Sequence, residues 1–171
     1  LRIILTGKSG VGKSTLQQWI HENMGMPKLI LTTTRSPRFG EKDGKDFIFV
    51  SANHYSSAMR KDLFPIHTIF KDNFYGCHTN DFTENCVAVL EALMVKQAQD
   101  FFADTVVFKL ELPEEVRIAR LTERGTIITS QDEERYDNVH VNFALSTEGT
   151  RLDVFNEFKM LLSKIPHPLL T

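Results

Sequence analysis

The stretch "LRIILTGKSGVGKSTLQQWI" (Leu1–Ile20) decides the fold. Its first six residues form a short apolar run, as expected of a buried parallel strand. Gly7, Lys8, Ser9, Gly10, Val11, Gly12, Lys13 and Ser14 then fit G-x-x-x-x-G-K-[ST] at every fixed position. Leu16, Trp19 and Ile20 follow at helical spacing. A glycine-rich turn between a strand and a helix lets successive backbone N–H groups face a phosphate, and the helix N-terminus adds a favourable field. Lys13 is expected to reach the β- and γ-phosphates and Ser14 to ligate Mg²⁺. Residues 7–15, Thr15 included, are therefore expected to hold a nucleoside triphosphate.

Working outward, strand-like and helix-like segments alternate. "LILTTT", "FIFVS", "CVAVLE", "TVVFKLEL" and "VHVNF" have strand composition, and "LFPIHTIFKDNFYG" alternates around a proline, which suits peripheral strands. "HYSSAMRK", "ALMVKQAQDFFA", "PEEVRIARLTERG" and "LDVFNEFKMLLSKI" read as helices, the third opening on proline and acids and ending at Gly125. This alternation predicts an α/β, three-layer P-loop fold with a mostly parallel central sheet.

The 171 residues suit one domain, and 42% hydrophobic content can fill a core. A net charge of −2 argues against a general electrostatic grip on nucleic acid. The apolar runs are too short to cross a bilayer and no signal-peptide pattern appears, so a cytoplasmic protein without a membrane partner is expected. Leu1 in place of methionine leads us to expect that a few leading residues are missing. Cys77 and Cys86 form no CxxC pattern and read as free thiols in a reducing compartment.

A phosphate loop does not by itself name a reaction. The N-K-x-D and D-x-x-G patterns of a GTPase do not occur, and nothing suggests the extra domains of a motor or transporter. Transfer of a phosphoryl group to a small acceptor remains, and it requires a second cationic cradle. "LTTTRSPRFG" (Leu31–Gly40) offers one, with Arg35 and Arg38 three residues apart in a segment that proline keeps from being helical.

In "GKSGVGKSTL", "TTTRSPRFGEKDGKDFIFVS", "FYG", "RLTERGT" and "NVHVNF", taken in order, the chain resembles the guanylate kinases. The resemblance implies a core at about residues 1–30, 86–123 and 138–171, a small β-rich acceptor-binding subdomain at about 31–85 and a short lid at about 124–137. It implies ATP as donor and a nucleoside monophosphate as acceptor, Mg²⁺ with the ATP, and a monomer or homodimer. By the same resemblance Arg35, Arg38 and Tyr75 grip the acceptor phosphate, and bidentate guanidinium contact suits that task. Arg124 and Arg135, eleven positions apart, bridge donor and acceptor phosphates. Arg120 lies against the adenine, and Asn142 helps to hold that base.

The departures fall on the positions that read guanine. Leu31, Ile66 and Cys77 replace a serine, a glutamate and a serine of the family, and Phe47 replaces a tyrosine. Of two aspartates in the central strand, one aligns with Val89 and the other with Glu91; Glu91 and Lys71 are candidates to contact the acceptor base. An apolar wall discriminates among bases far less than a hydrogen-bonding edge does. Three readings follow: a nucleoside or deoxynucleoside monophosphate kinase with guanylate as the family default and its base preference shifted or relaxed, an orthodox guanylate kinase reading guanine with other residues, and a non-catalytic binding module of the same fold.

Overall fold

Strand β1 (Arg2–Thr6) runs through the middle of the larger sheet. The computed structural model describes residues 1–126 and 139–166. β1 pairs in parallel with β6 (Cys86–Val89) and β7 (Thr105–Glu111), and β7 pairs in parallel with β8 (Phe143–Ser146), giving the order β6-β1-β7-β8. Ile3, Ile4 and Leu5 are fully buried because helices cover both faces. Ile3 and Leu5, with Phe108 and Leu145, meet Leu16 and Ile20 of α1 (Lys13–Met24) and Phe158 and Leu162 of α5 (Arg151–Leu162). Ile4, Ala88 and Val107 point the other way, onto Met94, Val95 and Ala98 of α3 (Ala92–Phe101). Period-two alternation along the strands thus feeds two cores, and each such side chain contributes about 1.5–3 kcal/mol on burial. The expected three-layer α/β architecture is present.

Helix α4 (Glu114–Glu123) starts after Pro113 and stops before Gly125, as its sequence signals indicate. It buries only Arg117 and Leu121.

A second sheet, ordered β3-β2-β5-β4, is drawn from residues 32–77. β2 (Thr32–Thr33) lies parallel to β3 (Ile48–Phe49) and antiparallel to β5 (Asn73–Cys77), which forms a hairpin with β4 (Ile66–Phe70). Lys71 and Asp72 turn that hairpin with φ of 49° and 58°. Helix α2 (Ala52–Met59) seals the sheet with Tyr55, whose ring stacks between Phe64 and Phe74 at centroid distances of 4.9 and 4.8 Å. A Cβ on Gly76 would stand 2.7 Å from the Tyr55 hydroxyl, so glycine after Tyr75 is what lets α2 close. Lys28 bridges to Val87 beside the large sheet and Thr32–Thr33 pair in the small one, so the expected strand "LILTTT" is divided between the two.

The expected last strand, "VHVNF", is displaced. β8 is Phe143–Ser146; Val139 and Val141 pack instead against the α3-side core, while the His140 carbonyl accepts from Gln99 at 2.7 Å. Alternating valines signal one buried face, and here a helix supplies the cover that a neighbouring strand would otherwise provide. Cys77 and Cys86 are free and buried, and burial pushes their thiols up to about 12 and about 11.

Candidate active site

The glycine loop leaves β1 at Gly7 and enters α1 through Gly12, a left-handed cap at φ 100° that has no side chain to cap the helix. Lys13 folds back over the loop, its Nζ donating to the carbonyls of Gly7 and, at 3.1 Å, Lys8. The outer side of the loop rests on α4. Gly10 has φ +89°, and a Cβ there would lie 2.9 Å from Leu121 Cγ.

Two clefts flank the first turn of α1. One, of about 290 Å³, is bordered by Gly12, Thr15, Arg120, Arg124, Thr147 and Phe155. The other, of about 210 Å³, is bordered by Ser14, Gln17, Leu31, Glu41, Phe47, Tyr75 and Glu91. Consecutive residues Ser14 and Thr15 therefore border different clefts.

In the first cleft Arg120 donates to the Thr147 carbonyl at 3.3 Å, and Arg124 stands exposed at the helix end. Arg151 also borders it. Asn142 does not. Its Oδ1 accepts from the Val107 N–H at 2.8 Å, just before β8 begins. Thr147, the first residue past β8, borders the cleft. Arg135 lies outside the described residues, as does the expected lid beyond Thr126.

Tyr75 and Glu91 border the second cleft. Arg35 is one step back. Its Nη2 donates to both Glu41 oxygens at 2.9 Å, its Nη1 to the Ser36 carbonyl at 2.7 Å, and its guanidinium lies 5.1 Å from the Phe47 ring centre. Glu41 also accepts the Arg38 N–H at 2.7 Å, while the Arg38 residue is exposed. One carboxylate thus organises the whole arginine loop. Glu41 was missed as a site residue although it stands in the quoted "RFGE". Lys71, at the hairpin tip, does not border the cleft. Leu31 lines the cleft, and Ile66, fully buried opposite Cys77 across the hairpin, belongs to the apolar core behind it.

Arg117 was also missed. Its guanidinium is buried, bonded to Glu114 through Nε at 2.9 Å and through Nη2, and donates from Nη1 to the Ser9 carbonyl at 3.1 Å. The Arg117 guanidinium holds the Glu114 carboxyl down at about 2, with Lys8 adding to the effect.

A family model described as "Guanylate kinase" matches residues 2–92. A guanylate kinase of Prochlorococcus marinus is 32% identical over 135 residues, 72% of this chain and 72% of its own length. One of Frankia casuarinae is 29% identical over 155 residues, covering 85% and 83%. Among solved structures, a guanylate kinase from Anaplasma phagocytophilum overlays 99% of this chain and 88% of its own, with a TM-score of 0.72 at 15% identity. With a sequence match over its N-terminal half, relatives aligned over most of its length and a shared fold, the chain belongs to the guanylate kinase family.

Proposed function

We propose that this kinase moves the γ-phosphoryl group of ATP onto a nucleoside monophosphate held in the Ser14–Glu91 cleft. The observation that carries the reading is the placement of two clefts beside the first turn of α1, where the phosphate loop ends. The ATP triphosphate lies on residues 7–15, with its base in the cleft of Arg120, Thr147 and Phe155. The acceptor phosphate sits against Tyr75 and the arginine loop, where Arg35 and Arg38 meet it once Glu41 shares its hold on them. An acceptor phosphate oxygen attacks the γ-phosphorus in line, the bond to the β-bridging oxygen breaks, and ADP leaves. The attacking oxygen is already anionic, so positioning and charge supply the catalysis. Arg124 and Arg135 add charge stabilisation from the lid side.

Mg²⁺ bound with ATP would offset the charge of its phosphates, and Ser14 would help to hold it. Ser14, exposed at the first turn of α1 and bordering the cleft, offers the hard hydroxyl oxygen such an ion takes. No group of three or more His, Cys, Asp or Glu suited to a metal occurs among the described residues. No described helix is long and apolar enough to cross a membrane. A cytoplasmic monomer or homodimer is proposed from the family resemblance.

Guanylate is the default acceptor. Leu31 in the cleft and Ile66 behind it place apolar groups at positions of the base reader, while Glu91, Asp46 and Glu41 are the carboxylates that border the cleft, and we expect preference among bases to be relaxed. The intact Lys13 and Ser14 favour an enzyme over a binding module. The test is ADP release from ATP with each common ribo- and deoxyribonucleoside monophosphate. Release that depends on a monophosphate supports the reading, and ATP binding without such release refutes it.

A further inference from the structure

The largest fully buried side chain among the described residues is a charged one, Arg117, with 1% of its surface exposed. Burying a guanidinium is costly unless its donors are satisfied. Here they are directed to two places: the Glu114 carboxylate one turn earlier on α4, and the carbonyl of Ser9 in the middle of the phosphate loop. Lys8, the preceding loop residue, lies 3.5 Å from the same Glu114 carboxylate. Leu121, one turn later, packs against Gly10. Three consecutive loop residues are thus clasped by one face of α4, the helix that also carries Arg120 and Arg124.

We propose that Arg117 is a positioning residue that fixes the orientation of the Ser9–Gly10 peptide and thereby aims a loop N–H at the donor phosphates. In a planar trans peptide the C=O and the following N–H point in opposite directions. Holding the Ser9 carbonyl outward, onto α4, turns the Gly10 N–H toward the concave side. With φ at +89° Gly10 has unusual conformational freedom, so this peptide is the one most in need of an external hold. The same clasp keeps the loop in register with the arginines farther along α4, about one and two turns beyond Arg117.

The inference rests on residues 7–15 being the triphosphate site. The test compares calorimetric binding of ATP·Mg²⁺, acceptor KM and thermal midpoint in the wild type, Arg117→Met and Arg117→Lys. Methionine keeps the bulk and removes every donor, and it leaves behind a Glu114 that is half-exposed and free to hydrate. Arg117→Met should weaken ATP binding about tenfold, the effect of losing a hydrogen bond from a charged donor, and leave acceptor KM within about twofold. Lysine should recover part of the loss. A folded Arg117→Met protein that binds ATP like the wild type, or that loses both substrates together with its thermal midpoint, overturns the inference. Should Arg117→Met not fold, Glu114→Gln replaces it: ATP binding weakened about threefold supports the clasp, and unchanged binding overturns it. A wild type that binds no ATP instead overturns the reading of the loop itself.

Discussion

Lys13 holds the carbonyls of Gly7 and Lys8, the place from which a triphosphate must draw it away. Lys13→Ala should lower turnover by about 10²–10³ or more, as loss of a preorganised cation at a developing charge does, with an unchanged circular-dichroism spectrum. At the acceptor loop, Arg38→Ala should raise acceptor KM about tenfold and leave the ATP KM alone, since one charge-assisted contact is lost on one side of α1 only. Initial-rate kinetics with each substrate varied separately check both. The cations were legible in sequence because G-x-x-x-x-G-K-S and R-x-x-R are dense local patterns. Glu41 and Arg117 were not. Arg117 acts through the Ser9 carbonyl, which only folding brings near, and Glu41, though close in sequence to Arg35 and Arg38, is an acid on a mostly polar segment that looks like solvated surface.

α4 and β8 show how elements aim these residues. Glu114, half-exposed, titrates at about 2 in the folded chain against an ordinary 4.5, so its folded pKa is depressed. Its contribution is therefore complete above about pH 4.5 and fades as the pH falls toward 2. The stability gap between wild type and Glu114→Gln, followed by urea unfolding, should close across that window and stay constant above it. Asn142 ties the start of the β8 segment to Val107. Asn142→Ala should cost about 1 kcal/mol of stability and leave the ATP KM unchanged, whereas Arg120→Ala should raise that KM with little loss of stability. Element type was readable from period and end signals throughout: Pro113 and Gly125 bracket α4, and "LRIIL" forms the central strand. The position of β8 was not, because Val139 and Val141 alternate like a strand while packing beneath α3.

At the scale of the whole molecule, two sheets and one phosphate loop make a two-sided machine. The parallel sheet delivers β1 to the loop, the smaller sheet presents Tyr75 and the arginine loop, and α1 divides the space between them. The strand-and-helix alternation foretold the large sheet, but the division of residues 28–33 between two sheets depends on long-range pairing that no local window contains. The central claim, that both clefts serve one reaction, has a direct physical test. A molecule with adenosine and guanosine joined through five phosphates should span the loop, filling both clefts at once. Calorimetry should give one molecule per chain, bound about 10²-fold or more tighter than ATP because the second contact is intramolecular, and the complex should accept neither ATP nor guanylate. Affinity no better than that of ATP, with guanylate still binding to the complex, would contradict the account.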